Sequence, residues 1–412
     1  MEFDFPTEVL EEGEVKFLAP KLSAFVSSRQ EYAPAKAPVF YNPAMELNRD
    51  IAVLALQAYQ RFVNRQLTIC EPLAGCGVRG IRFAKEVEGV SHVIVNDINE
   101  KAFQMAKFNV SINKINDRVT VFKEDANLLL SSYAAPHRRF DVVDLDPFGS
   151  PSPFLDSAIR AIRDGGLLAV TATDMAPLCG VHLKACLRKY GGKPLRTEYC
   201  HEIALRLLIG SIATVAARHE TSVHPVFSHS TDHYVRAYLI IKHGAKNADK
   251  CLSEMGYILH CFSCLHRETV KGNVLLGYSS KCPECGGKMD YAGPLWLGKL
   301  WDSHFYMLMV EEFKRKKLKC AKRIYKILTL IGEELNGPIG YYVLDRFCEK
   351  AHLPMPSAKT IVELIKGLGS EACRTHFHPN GVRTIMPARD FLKILRKAVG
   401  LNSDDEIAVE SR

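Results

Sequence analysis

The chain has 412 residues, which is enough for two or three domains that each bury a core. Apolar residues make up 47% and charged residues 24%, as in soluble globular proteins, and no apolar run approaches the roughly 20 residues of a membrane helix. The net charge of +8 permits a polyanionic partner without requiring one. The acidic N-terminus resembles neither a secretory signal nor a transit peptide, so we expect a cytoplasmic protein with no membrane partner.

The first 43 residues predict one or two short strands and then a proline-punctuated arm. Asn42 is a candidate helix cap with Pro43 in the first turn, and apolar residues at helical spacing extend this helix to about residue 62. Arg49 lies in its opening turns, where it could reach a carboxylate of a cofactor. Most arginines in such positions are solvated, so the pattern alone does not assign this role.

A predicted strand at residues 66–70 is followed by a glycine-rich loop and a helix. Gly75, Gly77 and Gly80 fit G-x-G-x-x-G in the context that a dinucleotide-binding loop requires, where glycine lets a ligand approach the backbone. The loop suits a nicotinamide cofactor and S-adenosylmethionine equally. Glu71, four residues before the first glycine, favours the class I methyltransferase pattern, in which such an acid orients the amino group of the cofactor.

Acidic residues also end the next predicted strands. Asp97 follows a strand at residues 92–96, and its carboxylate suits the ribose hydroxyls of either cofactor better than a helix cap. Asp125 follows a strand at residues 118–122 and, in a methyltransferase, would face the adenine amino group. Further strands as far as residue 241 predict a seven-stranded sheet with one antiparallel strand.

The stretch Asp144-Leu-Asp-Pro-Phe-Gly-Ser-Pro151 follows a fourth buried strand, where a parallel sheet binds its ligands. Asp146 supplies a carboxylate, Pro147 fixes the direction of backbone carbonyls, and Phe148 offers an aromatic face. Together they suit a flat substrate with an exocyclic amino group. The same residue types also form ordinary turns, and Asp144, on the same strand face as Asp146, has no assigned role.

Two Cys-x2-Cys pairs separated by 17 residues have the spacing of a structural zinc ribbon, and they comprise Cys261, Cys264, Cys282 and Cys285. A site of four cysteines is closed to substrate, so we assign it no catalysis. The other nine cysteines are predicted to be scattered through core and surface. Four histidines between residues 219 and 233 lack the spacing of a compact metal site.

Residues 1–243 therefore predict a catalytic domain with its arm, and residues 244–400 a second domain. The second domain contains the zinc-ribbon-like element at about 258–290, a basic helix at about 305–330 and a winged-helix-like segment at about 335–395. Eight lysines and arginines without an intervening acid favour a phosphate track on the basic helix. Four side chains are predicted on the surface of the wing: Arg374, His376, Arg383 and Arg389. Residues 401–412 are predicted to be a disordered acidic tail.

Taken together, the chain resembles the tRNA (guanine-26-N2)-dimethyltransferase family. The resemblance rests on Val39-Phe-Tyr-Asn-Pro43, Leu47-Asn-Arg-Asp50, Gly77-Val-Arg-Gly-Ile-Arg82, the stretch from Asp144 to Pro151, Ala176-Pro-Leu-Cys-Gly180, Asp232-His-Tyr and Arg374-Thr-His-Phe377. It implies a Rossmann-like class I methyltransferase sheet with an α+β C-terminal domain that binds tRNA. It also implies two methyl transfers from S-adenosylmethionine to N2 of guanine 26, and it implies no protein partner.

Carried over position by position, the resemblance implies cofactor-binding roles for Arg49, Arg79, Asp97, Asp125 and Ala126. It assigns Asp146 to the guanine amine and places Phe40 and Phe148 against the base. Zinc is implied for some members only, so it is not part of the shared chemistry.

Two other interpretations stay open at this stage. An NAD(P)-dependent oxidoreductase would explain the intact glycine fingerprint. A non-catalytic RNA-binding protein would explain the zinc ribbon, the basic helix and the wing.

Overall fold

The computed structural model describes residues 3–25, 33–272, 274–275 and 277–401; the predicted acidic tail lies almost wholly outside the described residues. The strands up to residue 243 are β1 (Thr7–Glu12), β2 (Val15–Pro20), β3 (Leu67–Glu71), β4 (Val90–Asn96), β5 (Val119–Phe122), β6 (Phe140–Leu145), β7 (Ile162–Ala172), β8 (Thr221–Thr231) and β9 (Tyr234–His243). The helices of this part are α1 (Ala33–Lys36), α2 (Glu46–Val63), α3 (Val78–Glu86), α4 (Glu100–Ile112), α5 (Ala126–Ser132), α6 (Leu155–Ala161), α7 (Met175–Leu178), α8 (Leu183–Tyr190) and α9 (Cys200–Ala217).

The C-terminal part follows directly. Its strands are β10 (Met255–Cys261), β11 (Arg267–Lys271), β12 (Met289–Trp296), β13 (Tyr342–Val343), β14 (Ala372–Arg374) and β15 (Gly381–Thr384). Its helices are α10 (Ala245–Leu252), α11 (Ser303–Arg315), α12 (Ala321–Glu334), α13 (Leu344–Ala351), α14 (Ala358–Gly367) and α15 (Ala388–Ala398).

The central sheet has seven strands in the order β5-β4-β3-β6-β7-β9-β8, and β9 runs antiparallel to both of its neighbours. This confirms the predicted sheet with one antiparallel strand. β3 lies between β4 and β6, so the strand order reverses at this point and the carboxyl ends of three parallel strands adjoin. A crevice at such a switch point is where open α/β sheets bind ligands.

The middle of the sheet is covered on both faces. Every residue of β6 is buried, which explains why its apolar residues do not alternate with exposed ones, and its two aspartates, Asp141 and Asp144, are buried as well. By length and composition α9 is apolar enough to cross a membrane, the one such helix among the described residues, but 72% of it is buried inside the protein. It packs as a core helix between β8 and β12.

The N-terminal hairpin of β1 and β2 packs against α3 and α4. The Asn109 side chain accepts from the backbone N–H of Leu18 at 2.7 Å and donates to the carbonyls of Leu18 and Cys76, each at 2.9 Å. One buried amide thus joins the hairpin to the glycine loop.

The C-terminal part shares the core of the sheet. β10, β11 and β12 form an antiparallel sheet, and β12 lies so close to α9 that a Cβ on Gly210 would come within 3.1 Å of the Leu295 Cα atom. Beyond it, α13, α14 and α15 pack with the β13-β15-β14 sheet around a separate small core. The helices and β-pair predicted in this segment are therefore present.

The single basic helix predicted at about 305–330 is wrong, because the segment forms α11 and α12. Lys316 has an extended backbone, with φ −93° and ψ 139°. Leu318 turns into the core, and the backbone N–H of Cys320 donates to the Asp50 Oδ2 atom at 3.1 Å. Helix α11 ends here because Leu318 is buried and the backbone of Cys320 contacts Asp50. The spacing of charges along the sequence predicts neither of these contacts.

His376 and Arg383 were predicted on the wing surface, and this is also wrong. The His376 side chain is only 1% exposed and contacts Glu334. Arg383 is buried as well. Its guanidinium is buried between Glu202 of α9, at 3.0 Å, and Glu334 of α12, at 2.9 Å. Burial opposes ionisation of Glu202, but Arg383 and Arg206 outweigh it and lower the pKa of Glu202 to about 2. Arg383 therefore joins the helix behind the central sheet to the C-terminal part.

We expect Arg383→Met to lower the free energy of unfolding by about 3–5 kcal/mol, because it leaves two buried carboxylates without their shared cation. Urea denaturation followed by tryptophan fluorescence measures this. The matched control is Arg389→Met, since Arg389 is exposed, and its effect should stay within about 0.5 kcal/mol. An Arg383 variant as stable as the control would contradict the role of this ion pair.

Candidate active site

Arg79 of α3 is buried beneath the carboxyl ends of β3 and β6, in contact with three carboxylates. Its Nη2 atom donates to Asp146 and, at 2.9 Å, to the side-chain oxygen of Asn48. Its Nε atom lies 3.7 Å from Glu71, and its Nη1 atom lies 3.8 Å from Asp144. Three acids at adjoining strand ends thus meet at one guanidinium.

Asp144, which had no predicted role, is fully buried and forms an ion pair with Arg236 of β9. Arg236 also donates to the hydroxyls of Thr171, at 2.5 Å, and Tyr238, at 2.8 Å. A carboxylate within a buried strand requires such a partner, and its presence there is the signal that the sequence offers. Asp144 therefore anchors β6 to β9 across β7.

The charges in this cluster balance when Glu71 is protonated, because Arg79 and Arg236 then face Asp144 and Asp146. Burial, reinforced by the two aspartates, raises the pKa of Glu71 to about 8 against the attraction of Arg79. Burial also opposes ionisation of Asp146, but Arg79 and Arg236 outweigh it and hold the pKa of that carboxyl below its usual value. The cluster therefore favours the carboxylate form of Asp146 and the protonated form of Glu71.

The glycine loop borders a cavity of about 360 Å³. Gly75 has φ 55°, and a Cβ there would lie 2.6 Å from the Phe40 carbonyl oxygen, so only glycine fits. Asp97 accepts from the backbone N–H groups of Gly75 at 2.8 Å and Asn99 at 2.9 Å, whereas Asn99 itself caps α4. The lining comprises Pro34, Ala35, Ala37, Pro38, Phe40, Leu73, Gly75, Asp97, Asn99, Ala102, Asp146, Pro147, Phe148 and Phe154.

Gly77 allows the same loop to pack closely against α4 and β4. It has φ 79°, and a Cβ there would lie 3.1 Å from the Ala106 side chain and 3.3 Å from that of Val95. Its backbone N–H donates to the Ala74 carbonyl at 2.9 Å, which closes the turn into α3.

Six of the eight residues predicted to bind the cofactor are not among those that line this cavity, namely Arg49, Glu71, Gly77, Arg79, Asp125 and Ala126. Arg49 is buried and donates to both carboxylate oxygens of Glu12. Asp125 caps α5, where its Oδ1 atom accepts from the next turn of backbone, and Ala126 is buried as the first residue of that helix. Their cofactor roles stay predictions.

A second cavity of about 340 Å³ adjoins the first across the Asp146 loop. Phe40 and Phe148 lie edge to face between the two cavities, with ring centroids 3.9 Å apart. The Asp146 side chain keeps 18% exposure and lines both cavities. The second lining comprises Phe40, Asn42, Ala44, Met45, Asp146, Pro147, Phe148, Thr173, Asp232, His233 and Tyr234.

Two segments that the sequence did not assign to the site support this second cavity. Thr173 and Gly149 exchange two hydrogen bonds, of 2.8 and 2.9 Å, which fix the loop after Asp146. Asp232, in the turn between β8 and β9, pairs with Arg323 of α12 at 2.7 and 2.8 Å. The C-terminal part therefore contacts a wall of the cavity directly.

The four predicted zinc ligands cluster at one end of β10. Their sulfurs lie within 4.8 Å of one another, and Cys261–Cys285 and Cys264–Cys282 are each separated by 3.5 Å. Tetrahedral zinc with bonds of about 2.3 Å needs sulfurs about 3.8 Å apart, so the donor set fits this ion. Although burial opposes it, the backbone N–H groups of Cys264 and Ser263 lower the pKa of Cys261 to about 7, which favours a thiolate ligand.

Comparison with known proteins gives a match over nearly the whole chain. A family profile described as N2,N2-dimethylguanosine tRNA methyltransferase matches residues 13–396. A protein of Methanosphaera stadtmanae, named tRNA (guanine(26)-N(2))-dimethyltransferase, is 42% identical over 94% of this chain and 96% of its own length. A relative from Aquifex aeolicus, 38% identical over 94% of this chain and 95% of its own, is named tRNA (guanine(26)-N(2)/guanine(27)-N(2))-dimethyltransferase.

A solved structure shows the same fold. Trm1 from Pyrococcus horikoshii in complex with S-adenosyl-L-methionine superimposes with a TM-score of 0.82 at 34% identity, covering 94% of this chain and 99% of that one. The likeness therefore includes both the central sheet and the C-terminal part.

The protonation of Glu71 predicts a specific pH dependence of stability. Folded Glu71 keeps its proton up to about pH 8, whereas the unfolded chain releases it near the ordinary pKa of 4.5, so the contribution of Glu71 to stability falls as the pH rises through this window. Glu71→Gln, which resembles the protonated acid, should remove that loss. The difference in Tm between the variant and the wild type should therefore increase from about pH 5 to about pH 9, a range that covers most of this window and extends above it.

Thermal unfolding at several pH values measures this difference. Glu363→Gln, at an exposed position on α14, is the control and should give a constant difference. A constant difference for Glu71→Gln as well would show that Glu71 is ionised in the folded protein.

Proposed function

The chain belongs to the family of N2,N2-dimethylguanosine tRNA methyltransferases, and from this we propose that it transfers two methyl groups from S-adenosylmethionine to N2 of guanine 26 of tRNA. The product is N2,N2-dimethylguanosine, and the cytoplasm is the expected location. The match extends over the sheet and the C-terminal part alike, so it favours a methyltransferase over an NAD(P)-dependent oxidoreductase or a non-catalytic RNA-binding protein.

The observation that carries this proposal is the position of Asp146 between two adjoining cavities. The cavity beside the glycine loop suits the cofactor, and the cavity beyond Phe40 and Phe148 suits the flipped guanine. A methyl group on the first side and an amine on the second would then meet beside a carboxylate. Near-attack alignment of this kind supplies much of the rate of a group transfer.

On the cofactor side, Asp97 has lone pairs left to accept from the ribose hydroxyls, although it already holds the loop. Both cap bonds of Asp125 use Oδ1, which leaves Oδ2 for the adenine amino group, with Ala126 beside it. Arg49 would share its guanidinium between Glu12 and the cofactor carboxylate. Glu71 would orient the cofactor's amino group through a hydrogen-bond network.

On the substrate side, Asp146 would activate the exocyclic amine of guanine, which is a poor nucleophile. The N2 lone pair of guanine is delocalised into the ring, and hydrogen bonds from the amine to Asp146 and to the Pro147 carbonyl favour a pyramidal nitrogen. Each methyl transfer leaves a positive charge on N2, which makes the protons still bound to it strongly acidic, and one of them must leave. Asp146 accepts that proton even with its lowered pKa, because Arg79 keeps it ionised and in place beforehand.

The guanine must leave its helix to reach Asp146, which costs a few kcal/mol of stacking and pairing. Phe148 is 60% exposed and stands edge to face against Phe40, so either ring offers a face to the base. Base–aromatic stacking recovers about 1–3 kcal/mol.

The tRNA backbone would lie along α11 and α12. Four of the eight basic side chains there already have partners in the protein, namely Arg315, Lys316, Lys319 and Arg323. Within the described residues, the exposed amino groups of Lys314, Lys317, Lys322 and Lys326 make no ion pair. Tyr325, 65% exposed, lies among them on α12 and adds an aromatic face.

We also propose that the four clustered cysteines bind a structural Zn²⁺ ion. The ion would close the ribbon that β10 and β11 begin. Glu284, within the ribbon, bonds to His266 at 2.8 Å and accepts from the backbone N–H of Arg389 at 3.0 Å, so the ribbon also supports the winged segment.

Asp146→Asn should lower methyl transfer to a tRNA transcript by about 10²-fold or more, because the amide accepts no proton, while S-adenosylmethionine still binds. Methyl incorporation with nucleoside mapping at position 26 measures the reaction, and calorimetry measures cofactor binding. Asp117→Asn, at an exposed position, is the control and should leave both unchanged. Near-normal turnover of the Asp146 variant would contradict the assignment.

Replacing Lys322 and Lys326 together by alanine should weaken tRNA binding and reduce its salt dependence by about one log–log unit for each phosphate that is no longer neutralised. Turnover at saturating tRNA should not change, since neither residue lines the cavities. Filter binding across a salt series measures the slope. The charge-matched control replaces Lys246 and Lys250 on α10, and an equal loss of affinity there would indicate only a general charge effect.

A further inference from the structure

A second group of metal-ligand side chains converges away from the zinc ribbon. Cys179 follows α7, and Cys200 and His201 begin α9; their sulfur and nitrogen atoms all lie within 4.8 Å of one another. Cys179 comes from the stretch Ala176-Pro-Leu-Cys-Gly180, for which the proposed reaction provides no task. The prediction that Cys179 and Cys200 are scattered thiols is therefore wrong.

A close backbone approach brings these three residues together. Gly180 has φ 90°, and a Cβ there would lie 2.7 Å from the backbone nitrogen of Arg196 and 2.9 Å from the carbonyl carbon of Leu195. Only glycine allows the chain after α7 to lie this close to the segment that leads into α9. The thiol of Cys179 consequently reaches the first turn of α9.

The chemistry of the group suits a thiophilic divalent ion. Two thiolates neutralise the charge of Zn²⁺, and bonds of about 2.3 Å to sulfur and about 2.0 Å to nitrogen are compatible with ligand atoms this close together. The His201 ring also forms a hydrogen bond with the backbone of Phe377, and such bonds orient the ring of a metal-binding histidine. All three residues are half-buried, so the ion could reach them from solvent.

We propose that Cys179, Cys200 and His201 bind a second Zn²⁺ ion, with water as the fourth ligand. The ion would fasten the chain after β7 to α9. That same chain carries Thr173, which holds the Asp146 loop through Gly149. The second ion is thus a structural support for the wall of the substrate cavity, and metal content tests it independently of methyl transfer.

The first test is the zinc content of the full-length protein, measured by inductively coupled plasma mass spectrometry. We expect two ions per chain in the wild type, and one in Cys179→Ser and in Cys200→Ser. Cys186→Ser is the matched control, since Cys186 is a buried cysteine of α8 outside the group, and it should keep two. Cys264→Ser, which disrupts the ribbon site, should keep the one ion bound by Cys179, Cys200 and His201.

The second test replaces zinc with cobalt in the Cys264→Ser protein. Intense visible d–d bands together with thiolate-to-cobalt charge transfer should appear, and adding Cys179→Ser should abolish them. If the serine variants do not fold, His201→Asn keeps both thiols and should weaken cobalt binding. One zinc per chain that persists in Cys179→Ser and Cys200→Ser, or a Cys179–Cys200 disulfide in the isolated protein, would overturn the proposal.

Discussion

The site depends on one buried guanidinium. Arg79 lies where the ends of three parallel strands adjoin, and without it Asp144, Asp146 and Glu71 would present repelling acids in a medium that solvates charge poorly. With Arg236 behind it, the cluster holds two cations and two anions, and the third acid is neutral. The Asp146 carboxylate, which lines both cavities, owes both its charge and its direction to this arrangement.

Ion pairs also join the catalytic part of the protein to the C-terminal part. Arg383 lies between Glu202 behind the central sheet and Glu334 at the end of α12, and Arg323 of that same helix pairs with Asp232, which lines the second cavity. The inner face of α12 is therefore bonded to the catalytic part, while its outer face presents lysines to solvent. Binding of a polyanion to the outer face would occur on an element that already contacts the cavity wall.

Much of this architecture could be predicted, because its signals are local. Buried parallel strands are apolar runs, and the polar residue at each strand end marks the crevice, so the sheet and the positions of Glu71, Asp97 and Asp146 follow from short stretches. The partner of Asp144 is 92 residues away, and the break between α11 and α12 depends on where Leu318 finds a core. The burial of Arg383 and the meeting of Cys179 with Cys200 likewise depend on packing between distant segments, which periodicity and spacing do not encode.

The arm before α2 forms a wall common to both cavities, and Phe40 is the residue of the arm that lines both. Its carbonyl lies directly over Gly75, and its ring contacts Phe148. A displacement of the arm at Phe40 would change both cavities together, because this one residue supplies a carbonyl above the glycine loop and a ring beside Phe148. In the proposed reaction, exchange of the cofactor would therefore be coupled to binding of the base through a single stretch of chain.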